Sequence, residues 1–150
     1  GTQVYGDNAP NINPKVRVYS NATQSVNGST WTLVQCNTED YDIGSDFNAG
    51  TYLFTVPTTG YYALSGQVMI NSLPDGANLL GSFQKNAGTI LTEAKTIPGA
   101  AGNISVNFSD IVYLTANDTV GLYVYHTNGA ALDTIAGQRY AYLAIHLLSI

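Results

Sequence analysis

The chain has 150 residues, of which 10% are charged, with a net charge of −5 and five Lys or Arg. That length fits one domain burying about two-thirds of its unfolded surface, and so few basic residues give no electrostatic footprint for nucleic acid. No apolar run approaches the roughly 18 residues of a spanning helix, so no membrane insertion is expected, and the single Cys36 excludes an intrachain disulfide.

Residues 1–14 carry Gly, Pro and Asn without periodicity and are expected to be an N-terminal arm or linker, with residues 15–150 as the domain. Because the chain starts at Gly1 without Met, it is expected to be a mature piece of something longer. Residues 15–20 alternate and predict a first strand, residues 21–29 a turn-rich loop, and residues 30–36 a second strand. Cys36, in that apolar strand, is expected to be a small buried hydrophobe. Glu39, Asp40, Asp42 and Asp46 then fall in what reads as an acidic loop with a short strand around it. Residues 51–56 are β-branched and aromatic, and Pro57 to Gly60 form a turn. From residue 61 to 71 the chain alternates, with Tyr62, Leu64, Val68 and Ile70 on one face and Tyr61, Ala63, Ser65, Gln67 and Met69 on the other.

Residues 78–85 and 89–97 predict two further strands, and residues 104–114 another. A turn at residues 115–118 leads to a strand over 119–126, closed by His126, which is expected to be exposed beside a loop over 127–137. Residues 138–150 read as a final long strand. No segment has helical period. About ten strands at such spacing predict an all-β, two-sheet antiparallel β-sandwich.

The last strand places Leu143, Ile145 and Leu147 on one face and Tyr140, Tyr142, Ala144 and His146 on the other. An antiparallel strand ordinarily keeps one polar, wet face. Two apolar faces, here and at Tyr61, Ala63 and Met69, argue for oligomerisation, unless long loops cover the outer one. The abundant Tyr, 11 in all, suits an interface.

Asp42, Phe47, Phe54, Gly60 and Tyr62 fall at the spacing of the signature of complement-1q globular heads. Cys36, Leu64 and Gly66 stand where that signature has aromatic residues. Residues 110–120, with Asn117-Asp118 at the turn, resemble the strand–turn–strand element of the same family. The chain therefore resembles the complement-1q/tumour-necrosis-factor superfamily, and its Asn/Thr-rich, disulfide-free composition resembles bacterial or phage members. The resemblance implies a jelly roll, a structural role for the five signature residues, and a homotrimer with one sheet of each sandwich around a threefold axis. Tyr61, Ala63, Met69, Tyr140, Tyr142 and His146 would then line the interface.

Three His146 imidazoles near such an axis offer a metal or anion site, against a plain packed and hydrogen-bonded histidine. Glu39, Asp40, Asp42 and Asp46 offer hard oxygen ligands to calcium, against solvated surface charge. Beyond calcium no cofactor is expected. Nucleophile elbows, His-Glu-x-x-His and phosphate loops are all absent, so an enzyme is not expected. The expected function is a non-enzymatic trimeric head at the C-terminal end of a longer fibre or stalk, extracellular or on a virion or cell surface, binding a surface glycan or protein receptor. Two alternatives stand beside it: a monomeric carbohydrate-binding module of a secreted protein, with an aromatic platform on one sheet face, and a purely structural trimerisation cap.

Overall fold

The computed structural model describes residues 13–150. The arm expected over residues 1–14 lies, apart from Asn13 and Pro14, outside the described residues. In chain order the strands are β1 (Lys15–Tyr19), β2 (Ser25–Val26), β3 (Thr32–Leu33), β4 (Thr38–Ile43), β5 (Phe47–Asn48), β6 (Leu53–Thr55) and β7 (Gly60–Leu73). They continue as β8 (Leu79–Lys85), β9 (Thr89–Thr96), β10 (Gly102–Leu114), β11 (Thr119–His126), β12 (Leu132–Asp133) and β13 (Tyr142–Ser149).

Two antiparallel sheets face each other as a sandwich. One has five strands in the order β10-β7-β13-β1-β4, and the other has six in the order β5-β6-β11-β8-β9, with β3 on β11. The period of two along each strand sets which side chains meet between them. In β7, Tyr62, Leu64, Val68 and Ile70 turn inward and are buried, and in β11 Val120, Leu122 and Val124 do the same. Phe54 meets Tyr62 edge-on at 6.0 Å, and Phe83 packs on Phe108 at 4.5 Å, so aromatic rings bridge the layers.

The long strands match their sequence periods, while the shorter pieces depart from them. Residues 30–36 are not one strand: only Thr32 and Leu33 pair, on β11. The Gln24 side chain takes the place of a ladder there, donating to Leu33 O at 2.8 Å and accepting from Gln35 N at 3.0 Å. The segments read as loops, 21–29 and 127–137, meet each other as the ribbon β2–β12. The acidic stretch, read as a loop with a short strand around it, is mostly strand: the edge strand β4, paired along β1.

Candidate functional site

The register of the five-stranded sheet stacks its outward side chains in rows running across the strands. One row is Ile43, Lys15, His146, Ala63 and Ile111, and the next is Tyr41, Arg17, Ala144, Ser65 and Ser109. Beyond the first row Tyr61 sits opposite Tyr113, their rings edge-to-face at 5.0 Å. This face leaves large apolar groups in water: Tyr61 is 49% exposed, Ile111 61% and Tyr113 56%, and Ile43 and Leu148 are exposed as well. A sheet that already has one face on a core ordinarily keeps the other polar.

The small side chains of these rows leave an open groove of about 460 Å³, lined by Ala63, Ser65, Ser109 and Ala144 and bordered by Tyr41, His146 and Ile111. Tyr41 reaches across β1 to His146: its hydroxyl lies 2.6 Å from Nε2, and the rings meet edge-on. Burial, and then the charge of Lys15 beside it in register, hold the His146 imidazole below its ordinary range. Arg17 is engaged within the chain. Its guanidinium pairs with Asp40, donates to Gln138 O at 2.7 Å and lies 4.4 Å over the Tyr142 ring.

No family model matches the sequence, and no curated protein matches it. Solved structures do. The globular domain of zebrafish complement 1qA superposes with a TM-score of 0.69 at 15% identity, covering 90% of this chain and 97% of that one. Eiger TNF from S. frugiperda gives 0.71 at 14%, covering 91% and 94%, and murine APRIL at pH 5.0 gives 0.67 at 16%, covering 91% and 99%. The fold is the complement-1q/tumour-necrosis-factor jelly roll. Within that jelly roll the signature spacing marks the turn after β4 and the core plugs that follow. Asp42 accepts the backbone N–H groups of Asp46 at 3.1 Å and Phe47 at 3.0 Å. Phe47, Phe54 and Tyr62 are buried, and the Tyr62 hydroxyl donates to Thr58 O at 2.6 Å. A Cβ on Gly60 would stand 2.4 Å from Ser149 O, so the opening of β7 against the end of β13 requires glycine.

Of the six side chains read as an interface, Tyr61, Ala63, Met69, Tyr142 and His146 share the outward face of the five-stranded sheet. Tyr140 does not sit on the strand. It belongs to a turn, donating its N–H to Gly137 O at 3.0 Å, and Gln67 Nε2 pins that turn through Arg139 O at 2.9 Å. Tyr41, Ile111 and Tyr113 belong to the face and were missed. Ile111 and Tyr113 carried a signal, because β10 alternates and its outward positions change from Ser105, Asn107 and Ser109 to Ile and Tyr. Tyr41 carried none, since its stretch reads as an acidic loop with only a short strand around it.

Glu39, Asp40, Asp42 and Asp46 are not brought to one point. Asp40 pairs with Arg17 and Asp42 caps the next turn, while burial and the charge of Asp42 raise the Asp46 carboxyl above its ordinary range. Among the described residues no three His, Cys, Asp or Glu side chains are grouped to hold a metal ion. His126, expected to be exposed, is fully buried: Nε2 lies 2.8 Å from Val26 O, and Nδ1 accepts the Asn128 N–H at 3.2 Å. β2 reaches it through Val26 O, and with two residues that strand has no period to read. Cys36 is buried, and burial pushes its thiol up to about 12.

Proposed function

We propose that this chain is a non-enzymatic, homotrimeric head that associates through the outward face of its five-stranded sheet. It would be carried at the end of a longer fibre or stalk, of bacterial or phage type, outside the cell or on a virion, and bind a glycan or protein receptor. One observation carries this reading: the exposed Ile111, Tyr113, Tyr61 and Leu148 beside a floor of small residues. Apolar surface gains about 25 cal/mol per Å² when it leaves water, and Ala63, Ser65, Ser109 and Ala144 let a neighbour approach closely. The fold supports the same reading, since it is the fold of complement-1q and tumour-necrosis-factor heads. Low charge and many Tyr, Asn and Thr fit an extracellular contact surface, and among the described residues no helix is long and apolar enough to cross a membrane.

Light scattering on a sizing column tests the assembly. The expected mass is about three times the 15.9 kDa chain. The double change Ile111→Asp, Tyr113→Asp, which leaves the buried core untouched, is expected to give a folded monomer. A wild-type monomer at tens of micromolar chain would overturn the proposal.

A further inference from the structure

The opposite side of the sandwich carries a separate aromatic surface. Trp31 and Tyr125 stand with ring centroids 5.3 Å apart and planes at 49°, both partly exposed. Tyr125 turns outward from the six-stranded sheet because its neighbour Val124 is in the core, and Tyr123 shares that outward side two residues earlier. Across the sheet Tyr125 is registered with Leu80 and then Lys95, and Tyr123 with Ser82 and then Glu93. The residues next to the ring pair are thus neutral. The two charges lie two strands away, about 10 Å, and are opposite in sign.

This ledge is held firmly. Ser29 N donates to His126 O at 2.8 Å, and the buried His126 ring joins Val26 O to Asn128 N. A Cβ on Gly28 would fall 1.8 Å from Asn128 O, so the loop before Trp31 lies backbone against backbone on the loop after β11. Rings already in place lose little freedom when a ligand arrives.

We propose that the Trp31–Tyr125 ledge is a binding site for a neutral glycan, a pyranose laying its C–H face on the rings. This deepens the receptor-binding half of the proposed function and rests on that half alone, since the ledge lies on the sheet opposite the association face. Aromatic faces carry negative charge density and attract polarised C–H groups. An uncharged ledge is matched by an uncharged ligand, and Thr30, exposed beside Trp31 in the chain, carries a hydroxyl for its hydroxyls. Two partly exposed rings offer at most a few hundred Å², room for one or two sugars but short of the roughly 800 Å² per partner of a stable protein interface.

Trp31 is the sole tryptophan, so its fluorescence reports on this ledge directly. The full chain is titrated with laminarin, yeast mannan and guar galactomannan, with heparin as the anionic comparison. A saturable shift of Trp31 emission by at least one neutral polysaccharide is expected, with apparent affinity reduced about tenfold in Tyr125→Ala. In gels containing that polysaccharide, retardation of the wild type and its loss in Trp31→Ala are expected. Thermal unfolding is recorded for both variants. Should Trp31→Ala not fold, Tyr125→Ala and the wild-type titration decide. No response to any neutral polysaccharide, a response to heparin alone, or unchanged binding in both variants overturns the proposal. A monomer that binds neutral glycan removes the trimer and keeps the ledge; a trimer that binds none does the reverse.

Discussion

Asp42 accepts two backbone N–H groups and so turns the chain from β4 into β5, delivering Phe47 to the core. Hydrogen bonds to a charged acceptor contribute about 1.5–3 kcal/mol each when neither partner is well solvated. Asp42→Ala, which removes both, is therefore expected to lower the unfolding free energy in urea by about 3 kcal/mol, the low end of that range for two bonds. Asp42→Asn, which keeps one acceptor oxygen, should cost less, and an Asp42→Ala chain as stable as the wild type would show that the cap contributes nothing. The signature spacing singled this residue out, and the partners it holds lie only four and five positions on. His126 was not legible, because Val26 is 100 positions away. Cys36 was legible from its apolar neighbours alone. With its thiol pushed up to about 12, a disulfide reagent at pH 8 is expected to label it only as fast as the chain unfolds. Rapid labelling of the native chain would contradict that burial.

Strands long enough to show a period were readable, and those held by tertiary partners were not. β7, with 14 residues, and β10, with 13, repeat inward and outward positions several times over. β2, β3 and β12 have two residues each and owe their existence to the strands beside them. β4 is an edge strand whose charged side chains suit an edge, which discourages further pairing, and in sequence the same charges read as an acidic loop with only a short strand around it. Glycines inside strands mark where rings pass. A Cβ on Gly81 of β8 would stand 2.4 Å from the Phe108 ring, which is itself held against Phe83. The ring cannot swing clear without disturbing the second aromatic. Gly81→Ala is expected to destabilise by about 1–3 kcal/mol, the range for overpacked cores, where an exposed strand glycine would gain from alanine. A rise in the urea midpoint would show that the ring gives way.

At the scale of the molecule the two outward faces are distinct, one apolar with small residues, the other bearing the tryptophan ledge. Resemblance and apolar alternation pointed to the first; the second depended on β3 and β11 meeting, which no local pattern announces. The proposed association face also contains the partly buried His146. Beside His146 stand Lys15 from β1 and Tyr41 from β4, with Arg17 two residues further along β1, while Asp110 of β10 turns to the other face and accepts from Thr92 Oγ1 of β9; no ionisable side chain from β7 lies in the groove. Burial, and then Lys15, lower its pKa from 6.5, so the folded chain binds this proton less readily than the unfolded chain does. The neutral ring's contribution to stability is therefore complete above 6.5 and is lost as pH falls from there through the lower folded value. Covering the face in the proposed trimer deepens the desolvation, so acid should separate the subunits before it unfolds them. Light scattering is expected to show the trimer at pH 7.5 and a falling mass on acidification, while circular dichroism still reports folded β structure. His146→Gln, which can keep a hydrogen bond to Tyr41 but takes up no proton, should shift that dissociation to lower pH. Wild type and variant losing mass at the same pH would place the acid response on the carboxylates instead.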